Sequence, residues 1–141
     1  MFYELESGET IEGIIDSERK ALIEQFDEFM KQDRVRNTTL LGDFTSIYMR
    51  KQQIPDRNNH LCIANIEIAY DNLRGNGLMT SLLEHIESNL GQLQGVEFEC
   101  IHNVRLTAYL DGRGYVYPSF RSDYLKEIET HRYIDTESLK A

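Results

Sequence analysis

Residues 74–80, Arg-Gly-Asn-Gly-Leu-Met-Thr, have the composition of a phosphate-binding turn. They lie between a strand-like run, residues 61–69, and a helix-like run, residues 78–90. Gly75 and Gly77 allow the backbone unusual dihedral angles and a close approach to a ligand. The N–H groups of a first helical turn lack partners within the helix, and the helix dipole favours negative charge there. The pattern therefore predicts a site for a phosphate-bearing cofactor at the start of this helix.

The composition indicates one soluble globular domain over residues 1–141, because 40% of the residues are hydrophobic and 28% are charged. No apolar run approaches the roughly 20 residues that span a bilayer, and no signal peptide is evident. We therefore expect a cytoplasmic protein with no membrane partner. Cys62 and Cys100 show neither a disulfide framework nor a zinc pattern, and no two histidines have ligand spacing, so no metal is predicted.

The charge is strongly negative and uneven. The formal net charge is −9, and residues 1–33 hold ten acidic side chains against three basic ones, a net of −7. Such a surface repels nucleic acid and acidic membranes, so we expect no nucleic-acid partner. Two interpretations remain: a solvated helix face that aids solubility, or a surface that attracts a cationic partner.

Hydrophobic periodicity predicts the order of the elements. A helix over 17–33, capped by Asp16 or Ser17, carries an apolar stripe of Leu22, Phe26, Phe29 and Met30. The other predicted helices are 78–90 and 104–111, and the predicted strands are 2–5, 38–41, 44–53, 61–69, 96–101 and 115–120, with a strand or helix at 123–134. Residues 44–69 form a hairpin, and residues 61–101 form a β–α–β unit with two parallel strands and a right-handed crossover. The expected fold is a mixed sheet with helices on it, α/β or α+β.

Two segments resemble the signatures of the GCN5-related N-acetyltransferases (GNAT). Residues 64–78 resemble the central motif of that family, a strand followed by Arg/Gln-x-x-Gly-x-Gly/Ala at a helix start. Asn103, with the Gly114–Tyr115 pair about a dozen residues later, resembles the second signature. The two signatures together cover residues 61–120.

The resemblance implies a GNAT-like, mostly antiparallel sheet with a central parallel strand pair, flanked by helices. It also implies an acyltransferase that moves an acetyl group from acetyl-CoA to a primary amine of a small molecule or peptide, and the acidic N-terminal region suits a cationic acceptor. Pantetheine would bond the backbone at the end of the strand, the pyrophosphate would lie in the glycine turn, and Asn103 would touch the cofactor through its side chain. The implied cofactor-binding residues are Ile68, Ala69, Arg74, Gly75, Asn76, Gly77, Leu78, Met79, Thr80 and Asn103. A homodimer through an edge strand within residues 115–134 is a further expectation.

The chain departs from the family pattern at two positions. Met79 occupies a place where glycine or alanine is usual, so its side chain would crowd the cofactor or the packing beneath it. Leu110 occupies the place of the frequent acid tyrosine. Tyr109 precedes it by one residue, and a helical step of about 100° prevents a simple exchange.

The candidate catalytic residues are Glu67 as general base and Tyr109 as acid. Glu67 is the only carboxylate inside the central strand, and the alternative interpretation is a solvent-facing strand position. When the base of the resembled family is a glutamate, it often lies further back toward the strand start, where this chain has Asn65 or His60. His85 and His102 are expected to be structural or exposed.

Two other functions compete with the enzyme. A catalytically degenerate GNAT-fold protein would bind CoA or a protein partner without turnover, as Met79 and Leu110 indicate. A small acidic protein that mimics a nucleic-acid surface would explain the charge alone.

Overall fold

Three helices and five strands form the part of the chain that the structure, a computed structural model, describes: residues 10–52, 60–69, 77–99, 104–116 and 132–135. In chain order they are α1 (Ile11–Lys31), β1 (Asn37–Leu41), β2 (Thr45–Gln52), β3 (His60–Ile68), α2 (Leu78–Ser88), β4 (Gly95–Phe98), α3 (Val104–Gly112) and β5 (Arg132–Asp135). The strands form one sheet in the order β1-β2-β3-β4-β5. Only β3 and β4 pair in parallel, and the other neighbours are antiparallel. The predicted mixed sheet with a central parallel pair is therefore confirmed.

The first helix begins six residues earlier than predicted, so the predicted start near residue 17 was wrong. Thr10 is the N-cap, and its Oγ1 accepts a hydrogen bond of 3.0 Å from the Gly13 N–H. This cap satisfies one of the donors that a helix start leaves without a partner. The apolar stripe extends into the added turns through two buried residues, Ile14 and Ile15.

The core lies between the three helices and one face of the sheet. Side chains at helical spacing from α1 and α2 meet alternate residues of the strands, as burial of one helix stripe and one sheet face requires. Fully buried members of this core are Leu22, Phe26, Leu40, Ile47, Met49, Leu61, Leu82, Leu83, Ile86, Val96, Phe98 and Leu110. The opposite face of β3 and β4 carries polar side chains.

An extra residue in β3 changes which side chains face the core. The pairing with β2 passes from Met49–Ile63 to Tyr48–Asn65, so Ala64 is a β-bulge. Because side chains alternate across a strand, one inserted residue exchanges the two faces from that point on. Ile63 faces the core before the bulge, and Ile66 and Ile68 pack against the core after it. Asn65 and Glu67 are exposed on the other face.

The described pairing of β3 with β4 ends at the bulge. It covers residues 60–63 of β3, and the Glu99 N–H donates to the Ile63 carbonyl at 3.1 Å. Residues 64–68 of β3 then continue beside β2. We call the point defined by Ile63 and Glu99 the fork.

Two polar side chains hold α1 on the edge of the sheet. Gln25 bonds both backbone groups of Leu41: its Nε2 donates to the carbonyl at 2.6 Å, and its Oε1 accepts from the N–H at 2.8 Å. Glu18 is buried, and its Oε1 accepts from the N–H of Asp43 at 2.6 Å and of Phe44 at 3.3 Å. The acidic region is therefore not only a solvated face, because this carboxylate orders the turn between β1 and β2.

Several predicted segments lie outside the described residues. The predicted strand at 2–5 is one of them, and of the strand at 115–120 the described part contains a single bridge between Val116 and Tyr133. The end of the element predicted at 123–134 is strand β5. Among the described residues, no helix is both long enough and apolar enough to cross a bilayer.

The Glu18 contact can be tested by truncation. Glu18→Ala leaves two partly buried backbone N–H groups without their acceptor, so we expect it to lower the free energy of unfolding by about 1–3 kcal/mol. Glu24→Ala, at an exposed position of the same helix, removes the same charge and is expected to change stability by less than about 0.5 kcal/mol. Denaturant titration of both variants measures the difference. Equal losses would show that charge, and not the buried contact, matters.

Candidate functional site

The N-cap residue of α2 has no side chain that could bond the backbone donors of the first turn. It is Gly77, in the left-handed conformation (φ 83°, ψ 0°). The first intrahelical bond joins the Ser81 N–H to the Gly77 carbonyl at 2.9 Å, so the preceding three N–H groups have no acceptor within the helix. The first turn also contains no acidic residue. This arrangement favours an anion at the helix start.

The described end of this turn, residues 77–80, has open space at its glycine. A Cβ at Gly77 would meet no atom within 4 Å, so glycine is required there by the positive φ and not by crowding. Leu78 is buried, and Met79 packs against the core. The crowding of the ligand expected from Met79 therefore has no support here, because the side chain belongs to the packing behind the turn.

Thr80 and Tyr109 form a hydroxyl pair beside the same helix start. Thr80 Oγ1 and Tyr109 Oη are 2.7 Å apart and join the first turn of α2 to α3. The Arg113 guanidinium lies 5.9 Å from the centroid of the Tyr109 ring, and Glu87 of α2 binds that guanidinium at 2.6 Å. Leu110, the next residue, is fully buried. The geometry therefore places Tyr109 toward the helix start and Leu110 in the core.

The end of β3 lies between the fork and the glycine turn. The Ala69 N–H donates to the Phe44 carbonyl at 2.8 Å, so this amide belongs to the sheet. The exposed Glu67 accepts a weak hydrogen bond of 3.4 Å from Asn65 Nδ2. Arg74, Gly75, Asn76 and Asn103 lie outside the described residues, and their contacts with a cofactor stay predictions.

Four residues of three strands, with Glu99 directly after β4, form a polar cluster on the sheet face opposite the helices: Arg50, His60, Cys62, Glu97 and Glu99. His60 Nε2 and Glu97 Oε2 are 2.7 Å apart, and both side chains are fully buried. Arg50 Nη2 donates to Glu99 Oε1 at 2.5 Å and to Cys62 Sγ at 3.6 Å. The sequence analysis missed this cluster, because its members come together only through the register of β2, β3 and β4.

The chemistry of the polar cluster is that of a network of ion pairs and hydrogen bonds, not of a metal site. Donor atoms of Cys62, Glu97 and Glu99 all lie within 4.8 Å of one another, a spacing that a metal ion would accept. Burial raises the pKa of the Cys62 thiol, and the negative charge of Glu99 raises it further. A protonated thiol is neither a nucleophile nor a good metal ligand. Arg50 already supplies positive charge to this group, so we assign no metal here.

Tyr133 of β5 completes the packing around His60. The two rings meet edge to face, with centroids 5.8 Å apart. A Cβ at Gly95, on the neighbouring strand, would lie 2.6 Å from Tyr133 Oη and would also strike the backbone of Ile134. Glycine at this position therefore lets the aromatic ring lie over the polar cluster.

His85 has a structural role, as expected. Its Nε2 lies 2.7 Å from Asp27 Oδ1, and its ring packs edge to face against Phe26. The contact joins α2 to α1, away from the fork.

Solved structures define the class of fold. A KacTA–DNA complex matches with a TM-score of 0.52 at 14% identity, covering 83% of this chain and 82% of that chain. AtaTR bound with acetyl-CoA matches with a TM-score of 0.50 at 13% identity, over the same shares of the two chains. A mutant AtaT toxin bound to the C-terminus of the antitoxin AtaR and acetyl-CoA matches at 0.50 and 14% identity. That alignment covers 69% of this chain and spans only 61% of the AtaT chain.

The fold is therefore that of the GNAT acetyltransferases, as the two sequence signatures predict. No protein-family model and no curated protein matches the sequence.

The packing at Gly95 gives a test of the polar cluster. We expect Gly95→Ala to lower the free energy of unfolding by about 1–3 kcal/mol, because the added methyl group strikes a backbone carbonyl that cannot move freely. Gly112→Ala is the matched control, since a Cβ there meets nothing within 4 Å and φ is not positive. We expect that variant to be neutral or up to about 1 kcal/mol more stable. Denaturant titration compares them, and equal stability of the two variants would contradict the packing described here.

Proposed function

We propose that this protein is an acetyl-CoA-dependent N-acetyltransferase that acts on a primary amine. The observation that carries the proposal is the start of α2 in a GNAT-like fold: its first three N–H groups have no acceptor within the helix, and the Thr80–Tyr109 hydroxyl pair lies beside them. The N–H groups of Leu78, Met79 and Thr80 would hold the pyrophosphate. Pantetheine would lie along the end of β3, with Arg74 to Asn76 and Asn103 completing the site.

Acetyl-CoA supplies an activated acetyl thioester, and the chain supplies binding, orientation and a proton acceptor. The amine nitrogen would bond to the acetyl carbon, the carbon–sulfur bond would break with CoA leaving as its thiolate, and the amine would lose a proton to a base. Glu67 is our proposed acceptor of that proton, because its exposed carboxylate follows the fork on the face opposite the helices. Positioning of the two reactants supplies a large part of the rate in such reactions.

The acceptor we propose is a cationic small molecule or peptide. The net charge of −9 favours a positively charged partner, and Glu67 offers a carboxylate to the amine. The same charge disfavours direct contact with a DNA backbone, although KacTA is a structural neighbour that was solved with DNA. A single acyl-CoA-binding domain in the cytoplasm remains part of this proposal.

The second candidate is a GNAT-fold protein that binds CoA or a protein partner without turnover. The observation that favours it is Leu110, which is fully buried where the family frequently has its acid tyrosine. AtaT, which was solved with the C-terminus of its antitoxin, gives an example of a neighbour with a protein partner. Binding of acetyl-CoA without release of thiol toward a broad amine panel would favour this candidate.

The cofactor site can be tested with a matched pair of glycine variants. Gly77 and Gly91 both have positive φ, and a Cβ at either position meets nothing within 4 Å. Glutamate at either position therefore suffers the same backbone penalty of about 1–2 kcal/mol. We expect Gly77→Glu to lose acetyl-CoA binding, because its carboxylate lies at the anion site, and Gly91→Glu to retain it.

Thermal unfolding with and without acetyl-CoA measures this pair. At a hundredfold excess over the dissociation constant, binding stabilises the folded state by about 2.7 kcal/mol. We expect this stabilisation in the wild type and in Gly91→Glu. If Gly77→Glu retained this stabilisation, the start of α2 would not be part of the cofactor site. If the wild type lacked it, the proposed function would be refuted.

The role of Glu67 is tested by turnover. Glu67→Gln keeps the shape of the side chain and removes its basicity, so we expect kcat to fall by about 100-fold or more with little change in acetyl-CoA binding. Glu84→Gln, at an exposed position of α2, is the control and should leave both quantities unchanged. Release of free CoA from acetyl-CoA plus amine, followed with a thiol reagent, measures kcat. Wild-type turnover in Glu67→Gln would assign the proton to another acceptor.

A further inference from the structure

The Thr80–Tyr109 pair leaves one hydroxyl hydrogen for a third group. Each hydroxyl carries one hydrogen, and only one hydrogen can lie between the two oxygens, which are 2.7 Å apart. The other is available to donate elsewhere. Because Thr80 is the third residue of α2, this donor lies beside backbone N–H groups that the helix does not use. All of these donors suit the same kind of ligand, an anionic oxygen.

The position of Tyr109 points to cofactor binding and away from proton transfer. Its hydroxyl contacts the helix start, where the cofactor's phosphates would lie, whereas the reacting thioester would lie beside the fork. The ring is half-buried against the core, and Arg113 lies over it, held by Glu87. These contacts fix the ring and therefore the direction of the hydroxyl.

We propose that Tyr109 is a positioning residue, which fixes the Thr80 hydroxyl so that the pair donates a hydrogen bond to a phosphate of CoA. The inference rests on the proposed function, because it needs CoA at the start of α2. It replaces the sequence-based hypothesis that Tyr109 is the acid. It also predicts that removing the tyrosine hydroxyl weakens binding only of ligands that carry the phosphates of CoA.

The experiment compares CoA binding by calorimetry in wild type, Tyr109→Phe, Thr80→Val and the double variant. Loss of one hydrogen bond to a charged group is expected to weaken CoA binding by about 10- to 100-fold in each single variant. The double variant should bind no more weakly than Thr80→Val, because Tyr109 acts through Thr80. Thr80→Ser retains the hydroxyl and should bind as wild type.

A second acyl donor locates the effect on the cofactor. Acetyl-pantetheine lacks the pyrophosphate, so its KM should be the same in wild type and Tyr109→Phe. The KM for acetyl-CoA should rise about 10- to 100-fold in that variant, with kcat and its pH profile unchanged. If Tyr109 were a proton donor, Tyr109→Phe would show the opposite pattern. Its kcat would be lower, and the basic limb of its pH profile would be lost, with both acetyl-CoA and acetyl-pantetheine.

Tyr115→Phe is the matched structural control. The Tyr115 hydroxyl donates to Glu87 Oε2 at 2.7 Å, so it also bonds α2, but near the other end of that helix. We expect this variant to lose stability and to bind CoA as wild type does. If Tyr109→Phe fails to fold, Thr80→Val and Thr80→Ser still test the hydroxyl pair.

The outcomes separate this inference from the proposed function. A wild type that does not bind CoA refutes both. Wild-type CoA binding with unchanged affinity in Tyr109→Phe and Thr80→Val refutes the positioning role alone. Additive losses in the double variant, or an equal loss toward acetyl-pantetheine, also refute it.

Discussion

The bulge at Ala64 is the constraint on which the rest of the structure depends. A strand without it would place Glu67 in the core and expose Ile66 and Ile68, because side chains alternate along a strand. With it, the chain keeps one apolar face toward the helices on both sides of the bulge. The described pairing with β4 also ends beside this residue, so the insertion that preserves the core coincides with the fork.

The two faces of the sheet have different physical roles. The helix-bearing face supplies the apolar burial that holds α2 and α3, and thereby fixes the directions of the Gly77 turn and of the Thr80–Tyr109 pair. The other face holds its ionisable side chains in hydrogen-bonded pairs: Glu97 with His60, and Glu99 with Arg50. Buried polar groups are tolerated when they have hydrogen-bond partners. The protein therefore keeps carboxylates close to the fork in hydrogen-bonded pairs.

The sequence predicted what depends on local pattern. The helical spacing of Leu78, Leu82 and Ile86 identified α2 to within two residues, and the connection rule for β–α–β units identified the parallel pair. The start of α1 was not predicted, because Thr10 precedes an acidic segment that adds few buried residues to the stripe. Those residues are Ile14 and Ile15. Nothing in the residue type of Ala64 marks it as a bulge. The polar cluster and the Thr80–Tyr109 contact both depend on tertiary placement, which periodicity does not encode.

The contact between Gln25 and Leu41 has a consequence for self-association. Since the Gly42 N–H bonds Thr45 across the hairpin, the backbone groups of Leu41 point away from β2, to the outer edge of the sheet. Open edges of this kind are templates for β-strand addition by other chains, a common start of aggregation. By filling both hydrogen-bonding positions, a helix side chain prevents a foreign strand from docking there unless it first displaces the amide. The exposed Leu41 side chain therefore lies beside backbone groups that already have partners.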